Sequence, residues 1–256
     1  MTGLNGANIL VTRPAHQAES LCRLIEGQGG NAVRFPTLEI VAVPEPGQVQ
    51  NILANLGKFD WLIFISVNAV NFALKANGGK IPRLNSVRFA AVGLATAQAL
   101  ATAGLAVDLV PGQGYNSEAL LASSMLQSVG GQHFLIVRGE GGREELATVL
   151  RGRGAEVDYL DVYRRVIPVA DNAEVLGLIT QHQLDAITVT SGDALQNLLM
   201  MVAPQYHGLL LAIPIVVVSG RIAQIAGHLG FKQIVVAAQP ADTAIHEAVT
   251  MCLTGK

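Results

Sequence analysis

ILVTRPAHQAESLCRLIEGQGGNAVRF, residues 9–35, and LIVRGEGGREELATVLRGRGAEVDYL, residues 135–160, are two versions of one pattern. Each opens on a short apolar run that ends in an arginine, passes through a stretch with one apolar stripe at helical spacing, and turns at a glycine into a second β-branched run. Arg13 lies over Arg138, Leu21 over Leu146 and Gly29 over Gly154, a constant offset of 125. FDWLIFISVNAV lies on LDAITVTSGDAL at the same offset, Asp60 over Asp185 and Ser66 over Ser191. AAVGLATAQALATAGL then lies on VVVSGRIAQIAGHLGF, with Gln98 over Gln224 and Gly104 over Gly230, and Asn116-Ser117 lies on Asp242-Thr243, all offset by 126. A near-constant offset along the whole chain indicates two copies of one unit.

Within each copy, short β-branched runs alternate with helical patterns, which specifies α/β architecture: two similar lobes, each a parallel sheet flanked by helices. The runs expected as strands are 8–13, 32–35, 61–66, 88–92, 107–110, 133–138, 157–160, 186–190, 215–218 and 233–236. Gly29, Gly104, Gly154 and Gly230 follow the intervening helices as turn residues. Residues 36–46 and 161–170 break this rhythm, carry prolines and fall at the same phase of the repeat. The chain is therefore expected to leave one lobe, build the other and return. That gives a discontinuous domain of 1–37 plus 168–256, a continuous domain of 42–162, and a two-stranded linker at 38–41 and 163–167 beside a cleft.

Composition excludes several classes. Half of the 256 residues are apolar and 14% are charged, enough to bury a core and too ordered in pattern for a disordered or fibrous chain. A net charge of −2 exerts no overall pull on nucleic acid or anionic membrane. The longest apolar run, 209–218, contains Pro214 and falls far short of the ~20 residues that span a bilayer. The opening MTGLNGANILVTRP reads as no signal peptide, so cytoplasmic residence is expected. Cys22 and Cys252 form no CxxC and read as buried small residues.

Common site signatures fail. Gly139-x-Gly141-x-x-Glu144 lacks the third glycine of a dinucleotide fingerprint, Gly78-Gly79-Lys80-Ile81 lacks the spacing and hydroxyl of a P-loop, there is no GxSxG, and the histidines stand singly. No cofactor and no metal are expected. What recurs is a polar residue or glycine where a strand gives way to a helix: Arg13, Ser66, Gly93, Asn116-Ser117, Arg138, Ser191 and Ser219. In open α/β sheets ligands bind there, against free N–H groups and positive dipole ends. The same residues also fit purely local roles, with Ser66, Ser117 and Ser191 as N-caps and Arg13 and Arg138 in salt bridges. Six of the twelve arginines fall between Arg138 and Arg165 among six acids, which reads mostly as a self-paired solvated face. Tyr163, in the second crossing, is either a phenol able to donate a proton or a packed hinge residue.

VTRP at 11–14, AVGLATAQAL at 91–100, YNSEAL at 115–120, VRGEGGREEL at 137–146, GAEVDYLDVYRR at 154–165 and TSGDAL at 190–195 together resemble the bacterial uroporphyrinogen-III synthases over essentially the full chain. The resemblance implies a two-lobed α/β protein with a discontinuous first domain. It also implies a cofactor-independent hydro-lyase reaction of haem biosynthesis: hydroxymethylbilane is cyclised to uroporphyrinogen III with loss of water and inversion of ring D. Loss of the hydroxyl would give an azafulvenium cation, attack on the substituted carbon of ring D a spiro intermediate, and its fragmentation the inverted closure. Tyr163 is then implied to assist departure of the hydroxyl and Thr96 to contact substrate. Arg13, Ser66, Gly93, Asn116, Ser117, Arg138, Gly139 and Ser191 would form the rim that receives the substrate carboxylates. Hydroxymethylbilane is the implied partner, with transient contact with hydroxymethylbilane synthase, a monomeric state, no nucleic acid and no membrane. Two positions depart from the family pattern: Ser219-Gly220-Arg221-Ile222-Ala223 replaces Gly-x-x-Thr/Ser-Ala, and Phe64-Ile65-Ser66 keeps only the serine of FTS. The competing readings are an intracellular two-lobed ligand-binding protein without catalysis and a nucleotide-sugar transferase.

Overall fold

The β-branched runs form ten strands: β1 (Asn8–Val11), β2 (Asn31–Arg34), β3 (Glu39–Ala42), β4 (Trp61–Phe64), β5 (Arg88–Ala91), β6 (His133–Gly139), β7 (Glu156–Val166), β8 (Ala186–Val189), β9 (Ile215–Val217) and β10 (Ile234–Val236). Between them run α1 (Ala15–Gly27), α2 (Pro46–Ala54), α3 (Val67–Ala76), α4 (Leu94–Thr102), α5 (Ser117–Leu121), α6 (Glu145–Gly152), α7 (Ala173–Thr180), α8 (Gly192–Met201), α9 (His207–Leu210), α10 (Gly220–Leu229) and α11 (Asp242–Thr254). The computed structural model describes residues 3–114 and 116–255, so Tyr115 of the YNSEAL motif lies outside the described residues. The chain divides into unit 1, Met1–Glu39 with Val166–Lys256, and unit 2, Ile40–Arg165.

Each unit is built on one five-stranded sheet. Unit 1 has the order β10-β9-β8-β1-β2 and unit 2 the order β5-β4-β6-β7-β3. The registered pairs in both sheets are parallel. The sequence repeat is visible in this order. At an offset of 125 or 126, β8 corresponds to β4, β9 to β5, β1 to β6 and β2 to β7, and the corresponding strands neighbour each other in the same sequence.

Parallel sheets covered on both faces need strands that are apolar on both sides. In β4, Leu62 and Phe64 join one buried cluster while Trp61 and Ile63 join the other, as alternation along a strand requires. In unit 1, Leu10, Ile187 and Val189 face one layer and Ile9, Val11 and Val216 the other. The helices that cover these faces are amphipathic: α1 buries Ala18, Leu21, Cys22 and Ile25. Where a left-handed residue is needed to end such a helix, glycine can supply it. Gly230 ends α10 at φ 100°, and its N–H bonds back to the last turn.

Two segments differ from the sequence expectation. Residues 107–110 do not form a strand but meet β5 in a single parallel bridge, Ala90 to Leu109. Asp108 explains this: its carboxylate accepts from the Phe89 N–H at 2.7 Å and pairs with Arg83 at 3.0 Å, so a side chain occupies positions that a ladder would use. The bridge still sits where β10 sits in unit 1. The second difference is that the expected strand 157–160 and the expected linker strand 163–167 form one continuous strand, β7, with β3 bonded along its outer edge. No helix among the described residues is long and apolar enough to cross a membrane.

Leu62 is fully buried on β4, an inner strand of the unit 2 sheet. Leu62→Ala should destabilise that unit by about 2–5 kcal/mol. Urea unfolding followed through Trp61, the one tryptophan and itself buried in β4, reads unit 2 directly. A loss below ~1 kcal/mol would contradict the two-faced packing.

Candidate functional site

The carboxyl end of β6 is irregular. Arg138 pairs with Asp161 of β7 and Gly139 with Tyr163, so the register slips past Val162 between two consecutive β6 residues. Such a bulge re-aims side chains. Here it makes Val162 and Tyr163 buried neighbours and lays the Tyr163 ring against Gly139. A Cβ at Gly139 would overlap the ring, closer than any real contact. The Phe72 ring supports the tyrosine, with centroids 5.7 Å apart. The phenol oxygen lies 3.3 Å from Ser66 Oγ. Ser66 caps α3 by accepting from the Ala69 N–H at 3.1 Å, which leaves its own proton free for the phenol oxygen.

Tyr163 lines a cavity of about 340 Å³ at this end of the unit 2 sheet. The glycine-rich loop after β6, Asn116, Ser117 and Arg165 form the rest of its polar wall. Its charged lining residues are Arg138, Arg143 and Arg165, and among the described residues no carboxylate lines it.

Arg138 is 7% exposed and paired through its Nε and Nη1. Its Nε donates to Asp161 at 3.0 Å, and its Nη1 donates to Glu144 at 2.8 Å and to the Gly142 carbonyl at 3.3 Å. Its guanidinium carbon sits 3.5 Å above the Tyr159 ring, a cation–π stack, and the Tyr159 hydroxyl donates to Glu144. Burial alone would lower the Arg138 pKa, but hydrogen bonds to Glu144 and Asp161 outweigh it and hold the value raised. The Tyr159 hydroxyl and then Arg138 lower the Glu144 pKa, while burial and the Glu144 carboxylate raise that of Tyr159. At neutral pH Arg138 is a fixed cation with two counter-ions. It anchors the loop through Gly142.

The other residues singled out from sequence divide clearly. Asn116, Ser117, Arg138, Gly139 and Tyr163 share the cavity, and Ser66 touches Tyr163 behind it. The cap of α5 is Asn116, whose Oδ1 accepts from Ala119 N–H at 2.8 Å; Ser117 is the first helical residue, not the cap expected of it. Gly93 is the N-cap residue of α4, and Thr96 is buried in the first turn of that helix; neither lines the cavity. Arg13 and Ser191 belong to unit 1, where Arg13 is ion-paired with Asp242 and Ser191 caps α8 at 3.1 Å. Ser219 caps α10, and Ile222 is 2% exposed in the unit 1 core, a packing role that an apolar side chain suits.

Sequence reasoning missed Arg143 and Arg165. Reading the arginines of 138–165 as mostly self-paired holds for Arg138 alone. Arg151 donates to the Val157 carbonyl and Arg153 to those of Leu121 and Leu126. Arg143 and Arg165 are exposed and have no ion pair among the described residues. The available signal was Gly139, Gly141 and Gly142 before Arg143: a loop that rich in glycine holds no helix face on which acids could be paired.

Comparison with known proteins gives one family. The family model described as uroporphyrinogen-III synthase HemD matches residues 19–247. The uroporphyrinogen-III synthase of Escherichia coli K12 is 36% identical over 250 residues, covering 96% of this chain and 99% of its own. Among solved structures, a mutant uroporphyrinogen III synthase of the extremely thermophilic bacterium Thermus thermophilus superposes with a TM-score of 0.67 at 17% identity, over 98% of this chain and 100% of the other. The uroporphyrinogen-III synthetase of Helicobacter pylori does so at 0.59 and 16% identity, over 94% and 97%. At these identities the two structures speak for the fold, α/β with parallel sheets flanked by helices.

The contact between Gly139 and the Tyr163 ring predicts a coupled pair. Gly139→Ala should cost about 1–3 kcal/mol through overpacking. In a Tyr163→Ala background the same change should cost less than ~0.5 kcal/mol, because the obstructing ring is gone. Denaturation of the four proteins of the cycle measures this, and equal costs in both backgrounds would refute the contact.

Proposed function

The chain belongs to the uroporphyrinogen-III synthase family, and from that premise we propose that the unit 2 cavity holds the reacting end of hydroxymethylbilane, with Tyr163 at the leaving hydroxyl. Its activity is that of the family: a lyase reaction of haem biosynthesis that cyclises hydroxymethylbilane to uroporphyrinogen III with loss of water and inversion of ring D. Neither competing reading, a non-catalytic ligand-binding protein or a nucleotide-sugar transferase, gains support from the relatives that match.

The observation that carries the assignment is the placement of the Tyr163 phenol, fixed by Gly139 and Ser66, in the wall of a cavity whose charged lining is arginine. As the C–O bond breaks, the hydroxyl takes the phenol proton and leaves as water. Ser66 Oγ–H stabilises the phenolate oxygen so produced, and the cap position of Ser66 at α3 adds a positive dipole end. The substituted carbon of ring D attacks the azafulvenium methylene and forms a spiro centre. The bond from that centre to the neighbouring methylene breaks, the chain recloses in the inverted sense, and the proton lost on rearomatisation returns to Tyr163. The substrate itself supplies the electrophile, so the task left to these residues is to hold geometry and to move one proton.

Substrate contacts at Asn116, Ser117 and Gly139 are supported by their place on the cavity wall, while Ser66 acts through the Tyr163 oxygen and Arg138 through the loop it holds. Those at Arg13, Gly93, Thr96 and Ser191 rest on the family motifs. Cytoplasmic residence, a monomeric state and transient hand-over from hydroxymethylbilane synthase belong to the same reading.

The purified protein, given freshly generated hydroxymethylbilane without added cofactor, should yield predominantly isomer III; isomer I alone from folded protein would overturn the reading. Tyr163→Phe should lower kcat by roughly 10-fold or more with KM little changed and an unaltered unfolding transition. Wild-type kcat in that variant would remove Tyr163 from the proton transfer.

A further inference from the structure

The cavity holds three arginines but only one of them is neutralised. Arg138, the arginine at the strand end that sequence reasoning singled out, is buried and bonded to Glu144 and Asp161, and its Nη1 also donates to the Gly142 carbonyl of the loop. A cation already paired with two carboxylates has little net charge left to attract a third. Arg143 and Arg165 are in the opposite condition. Both line the same cavity, both are exposed, and neither has a hydrogen bond or ion pair among the described residues. Arg165 reaches over the cavity from β7 with its guanidinium carbon 5.7 Å from the Tyr163 ring centre, while Arg143 comes from the loop that Arg138 anchors. Two unpaired planar forks stand on a wall without acids, in the neighbourhood of the phenol. That is a receptor for two carboxylates.

Resting on the synthase reading above, we propose that Arg143 and Arg165 are the carboxylate-binding residues of this site, each receiving an acidic arm of the substrate ring that reacts at Tyr163, and that Arg138 is a positioning residue that sets the loop carrying Arg143. Division of labour follows from exposure. The buried arginine keeps its counter-ions in every state and shapes the wall, and the two exposed ones exchange water for substrate carboxylate in bidentate geometry. Their contribution is to binding common to ground and transition states, so it appears in KM and not in kcat.

Arg143→Gln and Arg165→Gln keep polarity and most of the length and remove the charge. Each should raise KM for hydroxymethylbilane and Kd for uroporphyrin III, read by porphyrin fluorescence, by about 5- to 10-fold. The kcat should stay within about 2-fold of wild type, and the salt dependence of KM should flatten in each variant. Arg164→Gln is the control: this neighbour is exposed and does not line the cavity, so its variant should bind like wild type. Intact Trp61 fluorescence and unfolding midpoint establish folding in every variant. KM and Kd within about 2-fold of wild type in Arg143→Gln or Arg165→Gln, or an equal weakening in Arg164→Gln, would overturn the inference. Wild-type protein that forms no isomer III would instead refute the synthase reading, while the uroporphyrin titration still reports on the two arginines.

Discussion

The aromatic ring of Tyr163 lies where any side chain at Gly139 would have to be, and the rest of the site follows from that exclusion. The ring can reach this place only because the register slips between Arg138 and Gly139, so that Val162 and Tyr163 both turn inward. Once there, it is held from behind by Phe72 and at its oxygen by Ser66. A phenol fixed on three sides has lost its rotamer freedom in advance of any reaction, which is what proton transfer at a defined atom requires.

Arg138 extends the same logic to the loop. Between β6 and α6 the chain has Gly139, Gly141 and Gly142, and Gly141 is at φ 69°, a left-handed backbone that L side chains avoid. Glycine gives this loop its shape but also its entropy, and an unsupported glycine loop would not keep one wall geometry. The bond from Arg138 to the Gly142 carbonyl, braced by Glu144, Asp161 and the Tyr159 ring, supplies the restraint. A buried cation with two acidic partners adds little net stability, since desolvation offsets most of the attraction, but it does specify one arrangement of its neighbours.

The fold was legible in the sequence because it is written twice. Apolar runs at a fixed offset, each followed by a helical stripe and a turn glycine, define strands that the sheet orders then show to be corresponding neighbours. What was not legible depends on side chains acting across the chain. Residues 107–110 have strand composition, but Asp108 takes the Phe89 N–H into its carboxylate and reduces the pairing to one bridge. Asn116 and Ser117 are both good caps, and only the backbone decides that Asn116 is the one. Of the site, Tyr163, Arg138, Gly139, Asn116 and Ser117 could be found from strand ends and motifs. Arg143 and Arg165 could not, because pairing is a property of distance: the acids near them in sequence serve Arg138 or face elsewhere.

The repeat also shows which features of the proposed site belong to one copy only. At the offset of 125, Tyr163 corresponds to Leu38, Gly139 to Pro14, Arg143 to Ala18 and Arg165 to Ile40, while Ser66 keeps its serine in Ser191. Ser191 and Ser66 cap equivalent helices, so the cap is a requirement of the fold, and the phenol, the glycines and the free arginines are not. The helices after the matched strands begin at different points. In unit 1, β1 ends at Val11, α1 starts at Ala15, and Ala18 is already packed in its first turn. In unit 2, the position matching Ala15 is Glu140, yet α6 does not start until Glu145. The glycines have unwound what would be the first helical turn. The loop that stands in its place lines the cavity beside Tyr163, and Arg143 on it faces that space.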